Sequence, residues 1–245
     1  MRNALKFDSK PHPAFRRRHL LMLLLLGGGL IGSGAHAAGC QRVPPALTVE
    51  VSSDEVREAF DITVADIRRL ATARGLQPHW PGLGAYVAQL RYRADIDEDA
   101  EEDRGVYCAT PRSVRLVILL NDRIIHLARE LQESPCLRDA VRQHARLHAR
   151  ADEDALKQLP ALTEHLRESL ARLPPVRGDT ELFAKSATTA AVHAQIDDFL
   201  DRLYGIRAAL NRAIDAPEAI EQLRRKCGPG QVTGTHAPML AGAGV

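Results

Sequence analysis

The sequence predicts an α+β fold: a small, mostly antiparallel sheet packed against one long helix, with a helical extension at the C-terminus. Three observations carry this. Short alternating segments, rich in β-branched residues, fill the first half of the chain. An unbroken helical periodicity then starts at Ser134-Pro135. A second helical stretch follows a Pro/Gly-rich break at Pro174-Pro175 and Arg177-Gly178-Asp179.

Leu47 to Val51 alternates and reads as a strand, whereas Val64, Ile67, Leu70 and Ala71 share a face at helical spacing, with Gly75 as a stop. Gln77 to Gly84 is a Pro/Gly loop holding the single Trp, Trp80. Tyr86 to Ile96 alternates again. Asp95 to Asp103 is acidic with little to bury, the composition of a solvated hairpin tip; it lacks the glycine and spacing of an EF-hand calcium loop. Val114 to Leu120 and Ile124 to Leu127 flank Asn121-Asp122-Arg123, which reads as a hairpin turn. Ser134 is the expected N-cap and Pro135 the first helical residue of a helix reaching about Leu159. Pro160 should kink it or open a successor reaching Leu173. Glu181 to Arg225 is helical, with a break expected at Asp215-Ala216-Pro217.

The N-terminus has the order of an export signal: Arg16-Arg17-Arg18, an apolar core from Leu20 to Ile31, then Ala35-His36-Ala37 as a small-x-small cleavage site. The expected mature chain starts near Ala38 and is periplasmic or secreted. Lipidation at Cys40 is the alternative. The expected organisation is therefore a leader over 1–37, an α+β domain over 38–173, a helical extension over 174–227 and a disordered tail over 228–245. The chain has 33 basic and 31 acidic residues, but the leader takes six of the basic and one of the acidic, leaving 27 against 30. A slightly acidic mature chain excludes nucleic acid as the expected partner. All four cysteines survive cleavage. In an oxidising compartment an even count reads as two disulfides, and no CxxC suggests a redox motif or zinc ribbon.

One constellation could carry chemistry. On the helix after Ser134, positions Leu137, Val141, His144, His148, Ala151 and Ala155 form one stripe, opposite Arg142, Arg146, Arg150 and Lys157. Two histidines at i and i+4 in a buried stripe can share one tetrahedral metal. The third ligand would be a carboxylate, from Asp152 one turn beyond His148, from Glu153 or from elsewhere in the chain, and zinc is the candidate cofactor. Two hydrogen-bonded core histidines are the alternative. His126, His165 and His193 read as ordinary structural histidines.

Several pieces in order carry a resemblance: Tyr107-Cys108, Val114 to Ala128 with Arg129-Glu130, Ser134-Pro135-Cys136, and His144 to His148. Together, from Gly84 to Leu156, they resemble a family of predicted secreted zinc-dependent proteases of unknown function with a zincin-like core. The resemblance covers roughly a third of the chain and implies that the long helix is the metal-bearing zincin helix, with His144 and His148 as ligands. It fails at one position: the Glu of HExxH, which activates the metal-bound water, is Ala145 here. The implied function is an exported, zincin-like and catalytically impaired protein, its metal either retained or absent. The alternative is a non-enzymatic envelope binding or scaffolding protein, with an envelope protein or peptide as partner. Four cysteines allow three pairings; the one expected is Cys108 with Cys136, flanking the hairpin, and Cys40 with Cys227, joining the ends of the mature chain.

Overall fold

The computed structural model describes residues 40–73 and 82–227. The expected leader with its expected cleavage site, the expected loop holding Trp80 and the expected tail over 228–245 lie outside the described residues. The elements run β1 (Ala46–Ser53), β2 (Arg57–Ala59), α1 (Val64–Ala73), β3 (Gly84–Asp103), β4 (Val106–Leu127), a 3-10 turn (Arg129–Glu133), α2 (Pro135–Leu156), α3 (Leu159–Ala171), β5 (Val176–Gly178), α4 (Glu181–Ile214) and α5 (Pro217–Cys227). A mixed five-stranded sheet and one long histidine-bearing helix are thus present, as the alternating and helical patterns require.

Two strands of about twenty residues organise the sheet. β3 and β4 pair antiparallel along their whole length, from Asp103 opposite Val106 to Gly84 opposite Leu127. Arg104 and Gly105 close the ribbon, both at positive φ (55° and 80°), as a two-residue hairpin of matching twist demands. The acidic run from Asp95 to Asp103 is the exposed far half of β3 and leads into this hairpin tip, with Asp97 and Asp99 held by Arg112 across the ribbon. Because β3 occupies one edge of β4 throughout, the other edge is shared in turn by β5 (antiparallel), β1 and β2 (both parallel).

The expected hairpin at Asn121-Asp122-Arg123 is absent: β4 runs straight through it. Between the Val87–Ile124 and Gln89–Asn121 pairs, β4 carries one residue more than β3, a β-bulge with Asp122 at φ 54°. The bulge shifts the alternation by one. Val114, Leu116, Ile118 and Leu120 are buried before it, and Ile125 and Leu127 after it, so the extra residue keeps both sets on the helix-covered face. Turn-type residues at a change of phase look alike in a sequence whether the chain reverses or merely bulges. Arg123 locks the bulge to its surroundings. Its buried guanidinium donates to the Tyr86 hydroxyl (3.0 Å), the Asp54 carbonyl (3.2 Å), the Ala149 carbonyl of α2 (3.1 Å) and the Glu153 carboxylate (2.8 Å).

Two clusters form the core. One joins Val114, Leu116 and Ile118 of β4 to Leu166 and Leu170 of α3 and to Val192, Ile196, Phe199 and Leu203 of α4. The other joins Ile125 and Leu127 to Val64 and Ile67 of α1 and to Leu137, Val141 and Ala145 of α2. α4 therefore shares a core with the sheet, and the segment read as an extension is built into it. Its start is fixed by Thr180, whose Oγ1 accepts the Phe183 N–H at 3.2 Å. A three-residue strand, β5, occupies the expected Pro/Gly linker. α2 and α3 part at Lys157-Gln158, with Pro160 in the first turn of α3 as expected. Among the described residues no helix is long and apolar enough to cross a membrane.

The cysteine pairing differs from expectation. Cys40 bonds Cys108 and Cys136 bonds Cys227. Since β4 is continuous, Cys108 sits at its far end beside β5, a whole strand away from Cys136 at the start of α2. The supposed hairpin that would have brought them together does not exist.

Candidate metal centre

The site lies where α2 faces the end of α4. The two helices run antiparallel and meet through a ladder of polar pairs stepping four residues at a time in opposite directions. Asp152 meets Arg207, His148 meets Asn211, and His144 meets Asp215. The stripe that buries Val192, Ile196, Leu200 and Leu203 in the core continues as Arg207, Asn211 and Asp215. Asp215 is where α4 stops, and Pro217 starts the next helix; the break presents its carboxylate to α2.

Three atoms converge there. His144 Nε2 and His148 Nε2 each lie 3.1 Å from Asp215 Oδ1 and 3.2 Å from one another. Ligand atoms on a tetrahedral ion with bonds of about 2.0–2.1 Å are about 3.3–3.4 Å apart, so this near-equilateral triangle has the dimensions of three corners of a zinc tetrahedron. These three residues could hold a metal ion. The histidine side chains are 10% and 16% exposed and that of Asp215 37%, so the triangle is closed on the core side and open at its carboxylate rim.

The surrounding groups prepare the nitrogens. Asn211 Nδ2 donates to the Arg207 carbonyl at 2.8 Å, which turns its Oδ1 towards His148 Nδ1 at 2.6 Å. That assigns the His148 proton to Nδ1 and leaves an Nε2 lone pair pointing at the triangle. A neutral His148 would then set a lone pair against a carboxylate oxygen, an arrangement that needs a proton or a metal cation between them. The electrostatics carry the same message. Burial pushes the His148 imidazole down, but its hydrogen bonds to Asp215 and Asn211 outweigh burial and hold it above the ordinary histidine value. Burial pushes the Asp215 carboxyl up, and the two imidazoles reverse this, holding it far below the usual carboxylate range.

His144 and His148 thus meet at one point, as their spacing predicts. Asp152 does not join them. Its side chain is 1% exposed, and both oxygens are taken by Arg207 at 2.5 and 3.1 Å. The carboxylate at the triangle is Asp215, 67 residues beyond His148, which no local motif could have named. One signal was available: Arg207, Asn211 and Asp215 repeat at four-residue spacing up to a helix break, matching His144, His148 and Asp152. Ala145 is buried among Ile125, Leu127 and Val141 on the sheet side of α2. The position that carries the base in HExxH therefore faces the core, away from the α4 side where the histidines converge.

Comparison with protein-family models, with curated proteins and with solved structures finds no match to the chain.

Proposed function

We propose that this is an exported zinc-binding protein whose metal is held by His144, His148 and Asp215 and which does not hydrolyse peptides. One observation carries the reading: two imidazole nitrogens and a carboxylate oxygen lie 3.1–3.2 Å from each other, half-buried between α2 and the end of α4. A borderline-soft divalent ion suits imidazole and carboxylate donors, and zinc takes both at bond lengths that this triangle accommodates. Bound there, it would supply a positive charge joining α2 to the α4–α5 break. His144 and His148 supply neutral nitrogens, Asp215 supplies charge, and Asn211 orients His148. The zincin resemblance supports this reading through the two histidines alone. Position 145 offers no base, and both oxygens of the nearby Asp152 are engaged by Arg207. The leader and two disulfides support an oxidising compartment outside the cytoplasm.

The test is metal analysis and zinc titration of untagged protein by calorimetry. One zinc per chain is expected. His148→Ala and Asp215→Ala should each weaken binding by about 100-fold or more, since losing a ligand costs more than the 10–100-fold typical of an orienting partner. Failure of the unmodified chain to bind zinc stoichiometrically would overturn the reading in favour of hydrogen-bonded structural histidines.

A further inference from the structure

The Cys136–Cys227 disulfide and the triangle sit at the two ends of the same helix pair. Cys136 lies in the first turn of α2, and His144 follows two turns later. Asp215 immediately precedes α5, and Cys227 is its last residue. α5 therefore runs back along α2 antiparallel, from the histidines to the helix start, and packs against it. A covalent bond fixes one end of this segment to α2, and the metal ligands face each other at the other.

Among the described residues the buried core of α4 ends short of Asp215. Leu203 is the last fully buried residue of α4, and Ile206 and Leu210 are only partly covered. Beyond them, among the described side chains, the Asp215 end meets α2 through the polar ladder, and the far end of α5 is bonded to it through Cys227. Opening the disulfide frees the α5 end and increases the number of conformations in which Asp215 is turned away from the histidines. The entropy of ordering that segment then falls on metal binding. The second disulfide, Cys40–Cys108, ties the N-terminal segment to the far end of β4 and has no such relation to the triangle.

We propose that the Cys136–Cys227 disulfide makes metal binding at His144, His148 and Asp215 redox-dependent: oxidised, the clamp presents Asp215 for tight binding; reduced, it releases α5 and the affinity falls. The proposal rests on the zinc reading above. The covalent step is ordinary thiol–disulfide exchange. Two thiols of a small thiol reductant supply two electrons and two protons, Cys136 and Cys227 become thiols, and one reductant disulfide forms. By linkage, zinc must resist this reduction by the same factor that reduction weakens zinc.

Zinc(II) titration of the full mature chain tests this. Cys136→Ser/Cys227→Ser should bind zinc at least about tenfold more weakly than the unmodified protein, the scale of losing an orienting partner. Cys40→Ser/Cys108→Ser should stay within about threefold, a shift of less than 1 kcal/mol. Equal affinity in all three proteins, or equal weakening by both pairs of substitutions, would overturn the coupling while leaving the site intact. No zinc binding by the unmodified protein would instead overturn the site reading. A second measurement needs no variant. The unmodified chain is equilibrated in reduced and oxidised glutathione at clamped free zinc, and the reduced fraction at Cys136 and Cys227 is read by thiol labelling and peptide mass. Zinc should shift that equilibrium at least about tenfold towards the disulfide. No shift, or a shift towards the thiols through capture of zinc by the cysteines, refutes the proposal.

Discussion

Asp152→Ala separates two roles that the sequence alone leaves confused. Asp152 is a buried carboxylate whose two oxygens receive the Arg207 guanidinium, and Arg207 is itself only a quarter exposed. Removing the carboxylate leaves a mostly buried cation facing an alanine. Breaking a buried pair by deleting one partner costs about 3–5 kcal/mol, and partial access of water to Arg207 places this case near the lower figure, about 3 kcal/mol. The assay is urea unfolding of zinc-free protein in the presence of a chelator, with the disulfides intact. The double variant Asp152→Leu/Arg207→Met should recover most of the loss, because no charge is then stranded. Zinc affinity, measured on the folded fraction, should fall only modestly. Asp215→Ala should give a different pattern: a large loss of zinc affinity, together with loss of the stability that its hydrogen bonds to both imidazoles supply in the zinc-free protein. A stability loss below about 1 kcal/mol for Asp152→Ala, together with loss of zinc binding, would refute the assignment and return Asp152 to the metal.

Three further outcomes follow from the same structure. Zinc affinity should fall as pH drops: His148 has a raised value in the zinc-free protein, so protons compete with metal from above the ordinary histidine value of about 6.5 downwards, costing about tenfold in affinity per pH unit for one displaced proton. Calorimetry between neutral and mildly acidic pH reads this, and a flat profile would contradict it. Peptide mapping without reduction should recover Cys40 linked to Cys108 and Cys136 linked to Cys227, each closing a loop worth about 4 kcal/mol in the chain-entropy model; a Cys108–Cys136 peptide would overturn the sheet topology. Ala145→Glu should destabilise the fold by about 3 kcal/mol or more and yield no peptidase activity, because the new carboxylate enters an apolar cluster at a site that is 3% exposed; hydrolysis by this variant would show that position 145 reaches the metal.

The parts of the fold legible in the sequence were those decided by local patterning. The stripe of α2, the proline that opens α3 and the break at Asp215-Ala216-Pro217 each follow from periodicity, a fixed φ or a missing N–H, and each stands in the structure. The failures share one origin. A hairpin and a bulge both require turn-type residues where the alternation changes phase, and only the partner strand distinguishes them. β3 is that partner, and its whole-length pairing with β4 is a non-local fact. Reading Asn121-Asp122-Arg123 as a reversal then brought Cys108 near Cys136 on paper, and the wrong disulfide followed from the wrong turn.

The candidate site shows the same division between local and distant information. Helix spacing alone fixes that His144 and His148 share a face and that their Nε2 atoms can approach within the 3.2 Å observed. It cannot fix what faces them. Asp152 lies on the same stripe and was the natural local choice, yet a buried carboxylate needs charge or hydrogen-bond partners wherever it lies, and Arg207 supplies a bond to each of its oxygens. The partner for the histidines had to come from another element. Antiparallel packing of two helices converts matching four-residue repeats into a ladder of facing pairs. Once Arg207 meets Asp152, Asn211 must meet His148 and Asp215 must meet His144. The Asp152–Arg207 ion pair is thus not a competitor for the histidines but one rung of the ladder that faces them with Asp215.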